Sequence, residues 1–169
     1  YCFLVQIFCT SGKLRHSLDK NCDDEMYQAE KSVQMIKNRR MSNKAIKALV
    51  IGGSGFLGSH VADELSSRGY LVSIYDQKKS KWIQKNQKFY LGDLNDTKKL
   101  NTLIKKTNIV YNFAGIADLN EGSKKPLDTI NQNIYATAKI LESCIKYKVS
   151  RFIYSSTIYV YSKKGSFYR

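Results

Sequence analysis

The sequence has little that would interrupt a regular fold and little that would bind a metal. Only one proline, Pro126, and ten glycines occur among 169 residues, and 43% of the residues are hydrophobic. This composition excludes collagen-like, low-complexity and wholly disordered chains. Two histidines and four cysteines without a C-x-x-C spacing predict neither a metal site nor a disulfide framework. We therefore expect one ordinary packed domain in a reducing, cytoplasmic compartment.

Long apolar runs are also absent. The longest candidate, residues 1–9, is interrupted by Gln6 and is about half the roughly 18 residues expected of a membrane helix. We expect a soluble protein with no membrane segment.

Negative charge is scarce, because 28 basic residues stand against 14 acidic ones and give a net charge of +14. The excess is +2 up to Asn43 and +12 beyond it. Most of the later cations are lysines in scattered pairs, whereas a nucleic-acid site clusters its cations on one face with arginine and aromatic residues interleaved. A solvated surface is the favoured interpretation, and polyanion binding is the alternative.

The sequence divides into two regions that differ in their pattern of apolar residues. Residues 1–43 contain a possible short strand over 1–9 and an amphipathic pattern over 25–40, and we expect them to form an extension outside the core fold. Met41 is a plausible start of the second region, residues 44–169, because a repeated strand and helix pattern begins at Ala45. The first residue is Tyr1, which suggests a fragment or a processed product.

The second region predicts an α/β fold with a parallel sheet. Apolar runs predict strands over 45–51, 70–75, 88–91, 108–114 and 150–156, with helices after the first, third and fourth. Strands that alternate with helices form parallel sheets with right-handed crossovers. The longest helix is predicted from Pro126 to about Tyr147. We expect its buried stripe to be Ile130, Ile134, Ala138, Leu141 and Ile145.

A glycine loop lies between the first predicted strand and its helix. Gly52, Gly55 and Gly58 fit the three positions at which a chain turns off a strand, lets its backbone approach a diphosphate, and packs a helix closely. The N-terminus of the new helix then faces the anion with free N–H groups and a positive dipole end. This pattern predicts a dinucleotide site, although a glycine loop alone also fits an ordinary tight turn.

Asp76 strengthens this prediction. It ends the second predicted strand 18 residues after Gly58, near the spacing of about 20 expected for the acid that binds the adenosine ribose. A carboxylate there accepts from both ribose hydroxyls and repels a 2′-phosphate, which indicates NAD. Lys78 and Lys79 lie close enough to leave NADP open.

With these motifs, residues 45–169 resemble the N-terminal part of an extended short-chain dehydrogenase/reductase, in particular the NAD-dependent epimerase/dehydratase family that acts on nucleotide sugars. Six motifs occur in the family's order: Gly52-x-x-Gly55-x-x-Gly58, Asp76, Gly92-Asp93-Leu94, Phe113-Ala114-Gly115, Asn133, and Ser155-Ser156-Thr157 followed by Val160-Tyr161. The resemblance implies a Rossmann-like doubly wound sheet, truncated after about five strands. It implies cofactor contacts from Gly52, Gly55, Phe56, Leu57, Gly58, Asp76, Asp93, Leu94, Phe113, Ala114 and Gly115.

The resemblance also implies catalytic residues. The family's Tyr-x-x-x-Lys motif comes after the Ser/Thr strand, and Tyr168 is the best aligned tyrosine, although its lysine would fall beyond Arg169. Tyr159 is the weaker alternative. Thr157 would hold the substrate hydroxyl, and Asn133 would support the site.

In this family a tyrosine takes a proton from a sugar hydroxyl while hydride leaves the same carbon for the nicotinamide. The resemblance implies NAD as cofactor, a nucleotide-sugar substrate and a homodimer of the full-length protein. Because the family's substrate domain is absent, we expect the chain alone to bind dinucleotide poorly and to turn over no UDP-galactose. An NADP-linked reductase and a non-catalytic dinucleotide sensor remain alternatives.

Overall fold

The computed structural model describes residues 5–8 and 45–156, and its strands form one six-stranded sheet. The strands are β1 (Val5–Phe8), β2 (Lys47–Ile51), β3 (Leu71–Asp76), β4 (Lys88–Leu91), β5 (Ile109–Asn112) and β6 (Arg151–Ser155). Strands β2 to β6 pair in parallel. The predicted α/β fold with about five parallel strands is confirmed.

The order of the strands defines where a ligand can enter. The sheet runs β1-β6-β5-β2-β3-β4, so the chain winds outward from β2 to β4 and then returns to the other side of β2. This is the strand order of a doubly wound, Rossmann-like sheet. In such sheets a crevice opens beyond the carboxyl ends of the strands where the winding reverses, between β2 and β5 in this chain.

Strand β1 corrects the expectation that residues 1–43 lie outside the core fold. Val5–Phe8 pairs antiparallel with β6 at the edge of the sheet, with Val5 opposite Ser155. An exposed strand edge offers a row of unpaired backbone groups, and a short apolar segment can satisfy them. The amphipathic pattern over 25–40 and Met41 lie outside the described residues.

Helices cover both faces of the sheet. They are α1 (Phe56–Ser67), α2 (Thr97–Ile104), α3 (Leu119–Lys124), α4 (Pro126–Thr129), a π-helical turn (Ile130–Tyr135) and α5 (Ala136–Lys146). Asp96 caps α2 by accepting from the Lys99 N–H at 3.1 Å. Helix α3 is a short element that the sequence pattern does not predict. Its start is defined by Asp118, which accepts from the Glu121 N–H at 2.9 Å.

The core has two layers because the strands alternate their side chains between faces. Ala48 and Val50 of β2 pack with Ala62 and Leu65 of α1. Leu49 and Ile51 face the opposite side, where they pack with a cluster supplied largely by α2 and α5. That cluster includes Leu100, Ile104, Ala136, Ile140 and Cys144. Burial on both faces explains the continuous apolar runs of these strands.

The predicted buried stripe of the long helix is wrong. Ile130, Ile134 and Ile145 are 51%, 64% and 60% exposed, Ala138 is exposed and Leu141 is half-buried. The opposite side of the helix is buried, through Ala136, Ile140, Ser143 and Cys144. The buried side thus combines Ile140 with the smaller Ala136, Ser143 and Cys144, while three other isoleucines of the long helix are exposed.

Lys148 has a left-handed backbone conformation at the end of the long helix. It adopts φ +55° after α5, where its N–H donates to the Ile145 carbonyl at 3.1 Å and the Val149 N–H donates to the Cys144 carbonyl at 2.9 Å. This pattern is a Schellman motif, whose left-handed position favours glycine. We expect Lys148→Gly to raise the free energy of unfolding by about 0.5–1 kcal/mol, measured by urea denaturation.

Gly69 provides the matched control, since it occupies the equivalent position after α1 with φ +81° and no heavy atom within 4 Å of an added Cβ. Gly69→Ala should lower stability by about 1 kcal/mol. A destabilised Lys148→Gly variant would contradict this interpretation of the α5 terminus.

Candidate functional site

The glycine loop turns the chain from β2 into α1 within four residues. Gly52 adopts φ +77°, and a Cβ at this position would lie 2.6 Å from the Ala114 nitrogen. At Gly58 a Cβ would lie 2.2 Å from the Gly52 carbonyl oxygen. The loop is closed by the Gly55 N–H, which donates to that same oxygen at 3.2 Å. Gly52 and Gly58 are therefore required by space, as the sequence predicts.

The start of α1 is open to a ligand. Gly55 is its N-cap, and no side chain caps this helix end. The first N–H groups of an α-helix have no acceptor within the helix, and together with the helix dipole they favour an anion. Phe56 is 80% exposed and contacts the His60 ring at 4.9 Å between centroids, while Leu57 is half-buried. Their contribution to an anion site would come from the backbone.

A cavity of about 210 Å³ opens beside this loop. It lies at the carboxyl ends of β2, β3 and β5, where the strand order predicts a crevice. Its lining residues are Ile51, Gly52, Gly55, Tyr75, Asp76, Gln77, Gly92, Leu94, Phe113, Ala114, Gly115 and Gln132. Most of the predicted cofactor residues are thus brought together, and we call this space the site cavity.

Asp76 lies at the mouth of the glycine loop. Its Oδ2 accepts from the Ser54 N–H at 3.0 Å, and its Oδ1 accepts from the Lys78 N–H at 3.2 Å. The carboxylate is therefore held in one orientation, and each oxygen keeps acceptor capacity for a further donor. A pair of adjacent hydroxyls, as in a ribose, matches this arrangement.

Asp93 and Leu94 come after β4, and of these two Leu94 lines the site cavity. The Gly92 N–H donates to the Asp76 carbonyl at 2.9 Å, which joins this segment to the end of β3. Leu94 is buried and gives the cavity an apolar wall. The Asp93 carboxylate is exposed and accepts from the Gln77 side chain at 2.6 Å.

Phe113, Ala114 and Gly115 form the wall beyond β5. The Phe113 N–H donates to the Ile51 carbonyl at 2.9 Å, which holds this loop next to the glycine loop. Asn133 accepts from the Ile116 N–H at 2.7 Å and donates to the Ile116 carbonyl at 2.9 Å. Asn133 therefore clamps the loop by two backbone bonds, and both the oxygen and the nitrogen of its amide are used in doing so.

Asn133 and its neighbour Gln132 lie in the π-helical turn. Such turns insert a wider loop of backbone and often occur at functional sites. Gln132, in the same turn, lines the site cavity. The sequence does not predict three of the lining residues, Tyr75, Gln77 and Gln132. A single polar or aromatic residue next to a motif has no characteristic spacing by which to recognise it.

The predicted catalytic residues Thr157 and Tyr168, and the alternative Tyr159, lie outside the described residues. Ser155 and Ser156, which precede them at the end of β6, are half-buried. Strand β6 neighbours β5 in the sheet, so its carboxyl end lies on the same side as the site cavity. The roles of Thr157 and Tyr168 stay predictions.

Two further features concern ligands and membranes. Among the described residues, no group of three or more His, Cys, Asp or Glu side chains lies close enough to hold a metal ion. No helix in the described part of the chain is long and apolar enough to cross a membrane.

The fold and the cavity define a dinucleotide-binding Rossmann-like domain. Residues 48–168 match the family model described as NAD dependent epimerase/dehydratase family, and the chain belongs to this family.

Two relatives illustrate the relationship. A UDP-glucose 4-epimerase of Dictyostelium discoideum is 31% identical over 127 residues, which cover 68% of this chain and 37% of the relative. A UDP-N-acetyl-alpha-D-glucosaminuronate decarboxylase of Bacillus cytotoxicus is 32% identical over 123 residues, covering 69% and 38%. The chain thus spans less than half the length of these relatives.

Solved structures agree with the fold. The UDP-glucose 4-epimerase of Thermus thermophilus in complex with NAD superposes with a TM-score of 0.58 and 28% identity, covering 62% of this chain and 35% of that one. The corresponding enzyme of Brucella ovis, also in complex with NAD, gives a TM-score of 0.58 and 29% identity, covering 62% and 34%. NAD is the cofactor of this family, as the glycine loop and Asp76 predict.

Proposed function

We propose that this chain is the dinucleotide-binding part of an NAD-dependent enzyme that epimerises or dehydrates a nucleotide sugar. The observation that carries the proposal is the fixed carboxylate of Asp76, 3.0 Å from the Ser54 N–H of the glycine loop. A carboxylate acceptor close to an open helix N-terminus supports the proposal, because binding of an adenosine diphosphate moiety requires both.

The residues of the site cavity fit NAD better than NADP. A 2′-phosphate would bring its charge against the Asp76 carboxylate, which cannot turn away without losing its bonds to Ser54 and Lys78. Lys78 and Lys79 are exposed, so their solvated charges would have to offset the repulsion between the 2′-phosphate and the Asp76 carboxylate. The NADP-linked reductase is therefore the second candidate, and Lys78 and Lys79 are the observation that favours it.

The described residues have distinct tasks in this proposal. The open N-terminus of α1 binds the diphosphate, Asp76 orients the ribose, and Asn133 holds the loop at Ile116 beside the dinucleotide. NAD supplies the hydride acceptor when it is bound. By the family resemblance, Tyr168 takes the proton from the sugar hydroxyl and Thr157 holds that hydroxyl. Asn133 is thus proposed as a positioning residue.

The relatives indicate the substrate class. UDP-glucose and UDP-glucuronic acid are bound in solved neighbours, and a UDP-sugar is accordingly the proposed substrate of the whole protein. Epimerisation and dehydration share the first oxidation step and differ in the fate of the oxidised sugar. A cytoplasmic location fits the free, buried thiol of Cys144, whose pKa is raised to about 12 by burial and which is unreactive in that state.

Isothermal titration of the 169-residue chain tests the cofactor proposal. We expect weak but saturable binding of NADH. The affinity for NADPH should be at least about tenfold lower, because the repulsion between a 2′-phosphate and the Asp76 carboxylate exceeds about 1.4 kcal/mol, which corresponds to a tenfold change. Equal binding of both, or tighter binding of NADPH, would favour the reductase. Absence of any saturable NADH binding would overturn the proposal.

A homodimer is proposed from the face of the long helix that is exposed in the monomer. The residues of this exposed stripe are Leu127, Ile130, Ile134, Tyr135 and Ile145. Large apolar side chains exposed along one helix are typical of association sites. The family resemblance implies the same partner, a second copy of the chain.

Ile134→Lys tests the dimer. A lysine ammonium in the centre of the stripe would have to be desolvated in the interface, so we expect sedimentation velocity to show a shift from dimer to monomer. Thr102→Lys is the control, because Thr102 lies on the exposed side of α2, away from the stripe. An unmodified chain that sediments as a monomer at all concentrations would contradict a dimer through this stripe.

A further inference from the structure

Tyr75 is buried beneath the site cavity, next to the ribose acid. It is the penultimate residue of β3 and only 1% exposed. Its hydroxyl donates to the Asp93 carbonyl at 2.7 Å. Burial, with the charges of Asp96 and Asp93, raises the pKa of Tyr75 to about 12, so the phenol remains a donor at neutral pH. A tyrosine at this position thus fixes the segment that comes after the neighbouring strand.

Gly92 leaves room for this phenol. A Cβ at Gly92 would lie 2.2 Å from the Tyr75 hydroxyl oxygen and 2.5 Å from Cζ. The side chain of Tyr75 therefore packs directly on the Gly92 backbone. The requirement for glycine at the start of the Gly92-Asp93-Leu94 motif is spatial, and it comes from the tyrosine beneath it.

The Asp93 carbonyl also organises the turn that leads into α2. It accepts from the Asp96 N–H at 3.0 Å in addition to the Tyr75 hydroxyl. The Asp93 side chain accepts from the Asn95 N–H at 2.7 Å. A single hydroxyl on β3 thus joins the end of β3 to the turn between β4 and α2.

Gln77 makes a second link at the surface. Its side-chain amide donates to the Asp93 carboxylate at 2.6 Å, and both residues are exposed. The Tyr75 hydroxyl therefore bonds to Asp93 from the buried side, and the Gln77 side chain bonds to it at the rim. Tyr75 and Gln77 flank Asp76 in the sequence. Leu94, the next residue, is 7% exposed and lines the cavity.

We propose that Tyr75 is a positioning residue that holds Gly92–Leu94 as the wall against the adenine end of the dinucleotide, and that Gln77 fastens the same wall from the rim. The inference rests on the proposed function, since it assumes that NAD occupies the site cavity with its ribose at Asp76. Tyr75 acts through the backbone of Asp93 and touches no reacting atom.

Tyr75→Phe removes the hydroxyl and keeps the ring. We expect NADH to bind about three- to tenfold more weakly, the effect of one hydrogen bond. Binding of reduced nicotinamide mononucleotide, which carries no adenosine, should be unchanged when monitored by NMR titration of the same variant. A lower affinity for NADH with an unchanged affinity for the mononucleotide is the diagnostic result, because a general loss of structure would weaken the binding of both ligands.

Tyr111→Phe is the matched control. Tyr111 lies on β5, is partly buried, and packs with the cluster under α1, on the other face of the sheet from Tyr75. Its loss of a hydroxyl should leave the affinity for NADH unchanged. Equal NADH affinity of Tyr75→Phe and the unmodified chain would overturn the inference, as would an equal loss for both ligands.

Gln77→Leu is the second variant, which decides the matter if Tyr75→Phe does not fold. Gln77 is exposed, so its replacement leaves the core intact. We expect about two- to fivefold weaker NADH binding and no change for the mononucleotide, and unchanged NADH binding would overturn the proposed wall. Failure of the unmodified chain to bind NADH would instead overturn the proposed function itself.

Discussion

Gly58→Ala is expected to abolish measurable NADH binding and to lower the free energy of unfolding by about 2–4 kcal/mol. The added Cβ would lie 2.2 Å from the Gly52 carbonyl oxygen and 2.9 Å from the Gly53 Cα. Both contacts are with backbone, so no side-chain rotation relieves them. The start of α1 must move away from β2, and the N–H groups that would bind the diphosphate move with it.

Titration with NADH and urea denaturation measure the two effects. Gly122→Ala is the matched control, because Gly122 is also helical and the nearest atom to an added Cβ is 3.5 Å away. Its NADH affinity should be unchanged, and its stability equal or slightly higher. A Gly58→Ala chain that binds NADH as well as the unmodified one would show that the close packing of this loop is not needed for the site.

Asp76→Asn should remove the preference for NADH over NADPH. The asparagine oxygen can still accept from the Ser54 N–H, so the loop is retained while the negative charge is lost. We expect NADH affinity to fall about tenfold, as a charged acceptor is replaced by a neutral one. NADPH affinity should rise, because the 2′-phosphate no longer meets a carboxylate and Lys78 and Lys79 remain nearby.

Parallel calorimetric titrations with the two cofactors give the ratio of affinities. Asp128→Asn is the control, since Asp128 is exposed on α4 and its replacement changes the net charge equally. A ratio that changes as much in Asp128→Asn as in Asp76→Asn would indicate a general effect of charge. An unchanged ratio in Asp76→Asn would mean that this carboxylate does not face the ribose.

The sequence predicts the sheet well because its central parallel strands, β2 and β3, are largely buried and therefore read as continuous apolar runs. The strands that end at Ile51, Asp76 and Leu91 do so within one residue of the predicted positions. The glycine loop and Asp76 can also be identified from the sequence as candidate site residues, since their spacing follows the pattern of dinucleotide-binding motifs. These features depend on local sequence, and so they can be recognised without the fold.

Features that depend on packing between distant segments cannot be predicted from the sequence. The long helix carries three isoleucines on its exposed side, whereas its buried side carries one, Ile140, beside Ala136, Ser143 and Cys144. Hydrophobicity therefore selects the wrong face. The bond from Tyr75 to Asp93 spans 18 residues, and neither residue type predicts the other. Strand β1 likewise pairs with a strand far along the chain.

Backbone amide NMR of the uniformly labelled chain during titration with NADH tests the central proposal most directly. Saturable shifts should be concentrated in the glycine loop from Gly52 to Gly58, at Asp76, at Asp93 and Leu94, and from Phe113 to Gly115. They should be reduced in Asp76→Asn. Shifts confined to the exposed lysine-rich loops, or no saturable shifts at the amides of Gly55 to Gly58, would contradict the assignment of this cavity to NAD.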